Sequence, residues 1–144
     1  MIFVDTSAFL AIENRRDSHH SRALRFRDSC LKAGSVLVTS DYVLDETYTI
    51  LRVRAGHGIA VQFGEAIRAS RLLQVEFVSP EILDKAWRLF KGYPDKDFSF
   101  TDCTSFVVME RLRINTAFTF DAHFRQYGRF TAKPSVPIGT SMKS

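Results

Sequence analysis

Asp5, Glu46, Asp102 and Asp121 are scattered along the chain, yet each falls where an apolar segment meets the start of a helix. One α/β fold could gather all four at a single edge. Carboxylates crowded in that way repel. At ~4 Å two like charges cost roughly 4 kcal/mol at the effective dielectric of a partly buried site, against about 1 in water. A divalent cation reverses the sign. Hard oxygen donors, with no cysteine and no pair of histidines at zinc spacing, suit Mg²⁺, with Mn²⁺ as a ready substitute. Such a centre makes water nucleophilic near neutral pH and relieves charge on a scissile phosphate, which is the chemistry of phosphodiester hydrolysis.

Each acid on its own also has a structural explanation. Asp5 and Asp121 end strands where helices begin and could be plain caps, and Ser99-x-x-Asp102 has the form of a capping box ahead of an apolar run. Glu46 lies inside a helix between apolar neighbours, where a cap cannot explain it. Its neighbour Asp45 competes for the same role. Consecutive helical residues point about 100° apart, so only one can face a crevice, and Glu46 is the expected one. His123 follows the last acid closely but has no partner at metal-ligand spacing, so a packing or capping role is expected. His19 and His20 read as solvated. Gly56-His57-Gly58 lacks the spacing of a phosphate-cradling loop, so no nucleotide cofactor is indicated.

The elements that must position these residues alternate between strand and helix. Ile2 to Val4 is a continuous apolar run, as in a strand buried on both faces. Further strands are expected at 36–38, 116–120 and, with half-exposed edge alternation, 73–77. Helices are expected from Thr6, and over 18–33, 41–54, 59–70, 80–91, 102–113 and 122–127, the sixth being apolar on nearly every side. The tail beyond Ala132, with Pro134 and Pro137, is expected to add one short strand. This order predicts a three-layer α/β/α sandwich around a mainly parallel sheet. In such sheets the reactive crevice lies outside the carboxyl ends of the strands, where Asp5 and Asp121 fall.

At 144 residues and 45% hydrophobic, with 13 Phe, the chain has apolar material for one core. One domain over 1–138 with a frayed 139–144 tail is the expectation. Phe106, Phe118, Phe120 and Trp87 are assigned to that core. Cys30 and Cys103 are too isolated for a zinc site or a disulfide framework and read as reduced core thiols. No leader-like or membrane-spanning stretch is visible, so a cytoplasmic location is expected. The net charge of +4 fits a polyanionic partner. Arg15, Arg16, His19, His20, Arg22, Arg25 and Arg27 are the densest basic stretch, fitting either a phosphate track or an exposed helix face. Arg52, Arg54 and His57 are weaker candidates. A haloacid-dehalogenase-like phosphatase is excluded because Ser7 stands where its second aspartate is needed.

Ile-Phe-Val-Asp-Thr-Ser at the start, Val-Leu-Asp-Glu-Thr in the middle, Phe-Ser-Phe-Thr-Asp-Cys-Thr-Ser-Phe later and the closing Thr-Phe-Asp-Ala-His-Phe together resemble PIN-domain ribonucleases over about residues 1–130. Within that family the compact chain is similar to VapC-type toxins. The resemblance implies a PIN-like fold and metal coordination by Asp5, Glu46, Asp102 and Asp121. It further implies hydroxyl support from Thr6 or Ser7 and from Thr119, with Asp97 in an outer supporting position. It also implies a Mg²⁺-dependent endoribonuclease that leaves a 3′-hydroxyl, a cognate antitoxin and a homodimer. A housekeeping RNA-processing nuclease of the same domain type, or a non-catalytic RNA-binding domain, would share these residues.

Overall fold

The computed structural model describes residues 1–135, so the expected 139–144 tail lies outside the described residues. Five strands form one sheet: β1 (Ile2–Val4), β2 (Leu37–Ser40), β3 (Leu73–Glu76), β4 (Thr116–Phe118) and β5 (Thr131–Lys133). Their spatial order is β3-β2-β1-β4-β5, and every pairing is parallel. Parallel pairing demands long crossovers, and helices supply them. Among the described residues there are seven: α1 (Thr6–Glu13), α2 (His20–Lys32), α3 (Asp41–Ala55), α4 (His57–Ala69), α5 (Pro80–Gly92), α6 (Phe100–Leu112) and α7 (His123–Tyr127).

Neighbouring strand residues point to opposite faces, and Phe3 and Val4, Val38 and Thr39, and Ala117 and Phe118 are all buried. Both faces of the sheet are therefore covered, the three-layer arrangement expected for an all-parallel sheet. The edge position of β3 matches its half-buried alternation.

The strand order reverses direction between β1 and β4, since β2 and β3 are laid down on one side and β5 on the other. That switch point is where a crevice opens at the carboxyl ends of an α/β sheet. The β1–β4 ladder continues one step past the end of β1, with the Asp5 amide donating to the Phe118 carbonyl at 3.0 Å. Asp5 is thereby held beside the end of β4.

Several boundaries differ from expectation. Strand β4 ends at Phe118 rather than Phe120: the Thr119 amide still bonds the Lys133 carbonyl of β5, but the Phe120 amide turns away to Ser7 Oγ. Helix α6 begins at Phe100, since Ser99 is its cap. Both cysteines are free and buried, while Phe106, Phe118 and Phe120 lie in the core. Trp87 does not. It is 52% exposed on α5, stacked against Phe90 with the Lys91 ammonium nearby. His19 is not simply solvated either, because its ring stacks on Phe120 at 4.5 Å between centroids. His20 Nδ1 bonds the Ala11 carbonyl at 2.7 Å. Among the described residues no helix is long and apolar enough to cross a membrane.

Candidate metal centre

Asp5 ends β1 and caps α1, Asp102 sits in the first turn of α6, and Asp121 follows β4 just before α7. The capping explanation holds for Asp5 and Asp102, whereas Asp121 stands one residue before the Ala122 cap of α7, and none of this competes with convergence. Asp5 Oδ2 takes the Ser7 amide at a long 3.4 Å. Asp102 Oδ2 takes the Ser99 amide at 3.0 Å while Ser99 Oγ takes the Asp102 amide at 2.9 Å, a complete capping box. Asp121 Oδ1 takes the His123 amide at 2.9 Å. Local capping fixes where each carboxylate starts, and the topology then aims all three at the same switch point.

Their mutual influence is strong. Burial first, then the charges of Asp102 and Asp121, push the Asp5 carboxyl up to about 7, although Ser7 and Thr119 pull the other way. Burial and then Asp121 raise Asp102 to about 6, opposed by the Ser99 amide and by His123. Asp5 and Asp102 are buried, whereas the Asp121 side chain keeps 24% of its surface open and faces solvent.

One oxygen of each acid is anchored and the other is not. Asp5 uses Oδ2, Asp102 uses Oδ2 and Asp121 uses Oδ1 for every hydrogen bond they accept. Asp5 Oδ1, Asp102 Oδ1 and Asp121 Oδ2 have no protein donor among the described residues. Three carboxylate oxygens left open at one crevice can take up a hard divalent cation, and this all-oxygen set fits Mg²⁺ or Mn²⁺.

Two relays tie the segment after β4 to the first acid. The Phe120 amide donates to Ser7 Oγ at 2.9 Å, and Ser7 Oγ donates to Asp5 Oδ2 at 2.8 Å. The Asp121 amide donates to Thr119 Oγ1 at 3.0 Å, and Thr119 Oγ1 donates to Asp5 Oδ2 at 3.0 Å. Of the two hydroxyls before α1 opens fully, Ser7 makes these bonds; Thr6 Oγ1 is buried without a partner.

The remaining expected residues lie apart from these bonds. Glu46 is half-buried on α3 between the buried Val43 and Thr47 and makes no hydrogen bond or ion pair among the described residues. Asp45 is exposed and lines a different groove with Asp41, Leu44 and Phe77, so Glu46 is the more inward of the two. Asp97 is exposed in the loop before α6. His123, expected to pack or cap, instead joins the acids: its Nδ1 lies 2.7 Å from Asp102 Oδ2 and 3.2 Å from Asp121 Oδ1. A single histidine has no spacing pattern, and only its place two residues after a strand-end acid hinted at this.

A five-stranded parallel sheet with carboxylates converging at its switch point defines a class of α/β hydrolytic centres, and comparison with known proteins narrows it. The PIN domain model matches residues 2–130, so the chain belongs to the PIN-domain family. It is 39% identical over 134 residues to the 23S rRNA-specific endonuclease VapC20 of Mycobacterium tuberculosis, covering 93% of this chain and 99% of that one. The crystal structure of that sarcin-ricin loop cleaving toxin superposes with a TM-score of 0.83 at 38% identity, over 93% of this chain and all of its own, 100%. A VapC ribonuclease of Archaeoglobus fulgidus is 31% identical over 124 residues, 84% of this chain and 77% of that one. VapBC2 of Rickettsia felis shares the fold, with a TM-score of 0.66 at 12% identity over 92% of this chain and 98% of that one.

Proposed function

We propose that this chain is a metal-dependent endoribonuclease, the toxin of a toxin–antitoxin pair, with Asp5, Asp102 and Asp121 holding Mg²⁺ and Glu46 adjacent. The observation that carries the reading is the set of unengaged oxygens on three anchored carboxylates at the sheet's switch point. When bound, the metal supplies a water of lowered pKa and charge relief on the scissile phosphate. Asp5 and Asp102, drawn out of water, present fixed negative charge to it. Asp121, open to solvent, lies on the side from which RNA approaches. Ser7 and Thr119 hold the Asp5 carboxylate against rotation. Glu46 has no competing partner among the described residues and would be free to join the acids that hold the metal. The names of the VapC20 and VapC relatives support RNA as substrate, and a folded loop of ribosomal RNA as its class. They also support a cognate antitoxin as partner. A homodimer, for which the exposed Trp87 and Phe90 of α5 offer an apolar surface, belongs to the same proposal.

RNA phosphates away from the cleaved bond also need cations. Arg15 and Arg16 line a cavity of about 330 Å³ together with Arg54 from the end of α3, and none of the three has an acidic partner among the described residues. Arg22 is already committed to the Ser135 carbonyl and the Phe120 ring, and Arg25 is exposed. We assign the track to Arg15, Arg16 and Arg54 first, with Arg22 and Arg25 beside it.

The test is cleavage of a sarcin-ricin-type RNA hairpin by purified protein in Mg²⁺, Mn²⁺ or chelator, with product ends mapped. Metal-dependent cuts leaving 3′-hydroxyl ends are expected. Equal binding of RNA with and without metal, and no cleavage in either, would instead identify a non-catalytic RNA-binding domain.

A further inference from the structure

The nuclease reading requires the two unengaged oxygens of Asp102 and Asp121 to face one cation, yet neither carboxylate is held in that orientation by its cap alone. A single amide on one oxygen leaves the carboxyl plane free to turn. The Nδ1 of His123 meets the engaged oxygen of both acids, 2.7 Å to Asp102 Oδ2 and 3.2 Å to Asp121 Oδ1. Those same oxygens already take the Ser99 and His123 amides. A nitrogen between two accepting oxygens must carry the proton and donate, because carboxylate oxygens have none to give.

We propose that His123 is a positioning residue: its shared Nδ1–H locks the Asp102 and Asp121 carboxylates so that Asp102 Oδ1 and Asp121 Oδ2 are presented together to a divalent cation. The inference rests on the metal reading above. The ring is itself confined, with 12% of its side-chain surface exposed and the edge of Phe98 set against it at 5.6 Å and 78°. Its backbone is pinned too, since its own amide is the donor to Asp121. A second hydrogen bond on each ligating carboxylate fixes orientation and raises affinity, and deleting such a partner typically costs 10–100-fold in metal binding. In this position Nδ1 itself cannot ligate the cation, because it carries the proton and donates to the anchored oxygens of the two acids.

Mn²⁺ binding to the intact protein without RNA tests this, read by calorimetry and by pulsed electron paramagnetic resonance. Asparagine places its amide nitrogen at the Nδ1 position and keeps the donor, while alanine removes it and leucine fills the ring's space without it. The His123→Ala and His123→Leu proteins should bind Mn²⁺ roughly 10-fold or more weakly. The His123→Asn protein should stay within about threefold of wild type, since it retains the hydrogen bond. The wild-type spectrum should lack a directly bound ¹⁴N. Unchanged affinity in the two donor-free variants, asparagine as weak as alanine, or a directly coordinated nitrogen would each overturn the lock. Wild-type protein that takes up no Mn²⁺ would instead remove the metal reading, and the lock with it. Melting in chelator identifies any variant that has not folded, and leucine then stands in for alanine.

Discussion

Thr119 Oγ1 lies 3.0 Å from Asp5 Oδ2, joining residues 114 positions apart, and the same hydroxyl accepts the Asp121 amide at 3.0 Å. One side chain thus sets the spacing of two acids contributed by the two strands that flank the crevice.

Removing that hydroxyl while keeping its shape should therefore loosen the centre without dismantling the fold. The Thr119→Val protein is expected to lose about 1–3 kcal/mol of stability, since it leaves the part-buried Asp121 amide unsatisfied and removes one of the two hydroxyls on Asp5. Metal affinity should fall roughly 10-fold. Ser7→Ala should behave alike, whereas Thr6→Val should be near neutral, because Thr6 Oγ1 has no partner to lose. Denaturant melts and metal titrations of the three proteins check the contrast.

Asp5 opposes the fold when no cation is present. Its replacement by asparagine keeps an acceptor for Ser7 and Thr119 and deletes a buried charge that faces Asp102 and Asp121. In chelator at pH 8 the Asp5→Asn protein should melt a few degrees higher than wild type, at roughly 2–4 °C per kcal/mol for a chain of this size. RNA cleavage in Mg²⁺ should drop by roughly 100-fold or more, equivalent to about 3 kcal/mol of lost charge stabilisation. A variant both more stable and inactive would separate the catalytic role from the structural one.

The pH dependence of stability has a definite sign. Asp5 holds its proton to about 7 and Asp102 to about 6 in the fold, both above the usual carboxylate value. Between about pH 4, where an unfolded aspartate ionises, and pH 7 the folded chain therefore binds more protons than the unfolded one. The contribution of these two acids is fully present below that window and is lost as pH rises through it. In chelator, melting temperature relative to the Asp5→Asn protein should decline from pH 5 to pH 8. Mg²⁺ or Mn²⁺ should restore it most at pH 8, which differential scanning fluorimetry can follow.

The basic track should act on binding rather than on chemistry. A double Arg15→Ala, Arg54→Ala protein is expected to raise KM with kcat nearly unchanged. Its salt dependence should be shallower by about 0.7 in log–log slope for each phosphate that is no longer neutralised. Arg111→Ala is the control, because Arg111 is already paired with Glu81 at 3.0 Å. Equal salt slopes in wild type, the double variant and the control would remove these arginines from the RNA path.

Strand-end aspartates, the Ser99 to Asp102 box and the alternation of strand with helix were legible because each is a local pattern whose consequence is topological. The parallel sheet followed from them, and so did the meeting of Asp5 with Asp121. What could not be read depends on rotation about single bonds or on distant packing. Thr6 and Ser7 are adjacent hydroxyls, and only the path of β4 past Asp5 decides that Ser7 is the one bonded. Asp102 could be seen as a cap or as a ligand, but not as a residue whose cap frees its other oxygen. Arg54 joins Arg15 and Arg16 only because α1 and α3 end side by side. Trp87 followed the apolar rule for core residues, yet the α5 face that carries it points outward.

Strand β1 sits between β2 and β4, so residues made early on the ribosome wait for a neighbour more than a hundred positions downstream. Until Thr119 and Asp121 have emerged, Asp5 has Ser7 as its one hydroxyl partner and lacks the Asp121 charge. A nascent or prematurely halted chain therefore carries the first acid but no assembled centre. The centre is complete only once β4 has been made and laid beside β1.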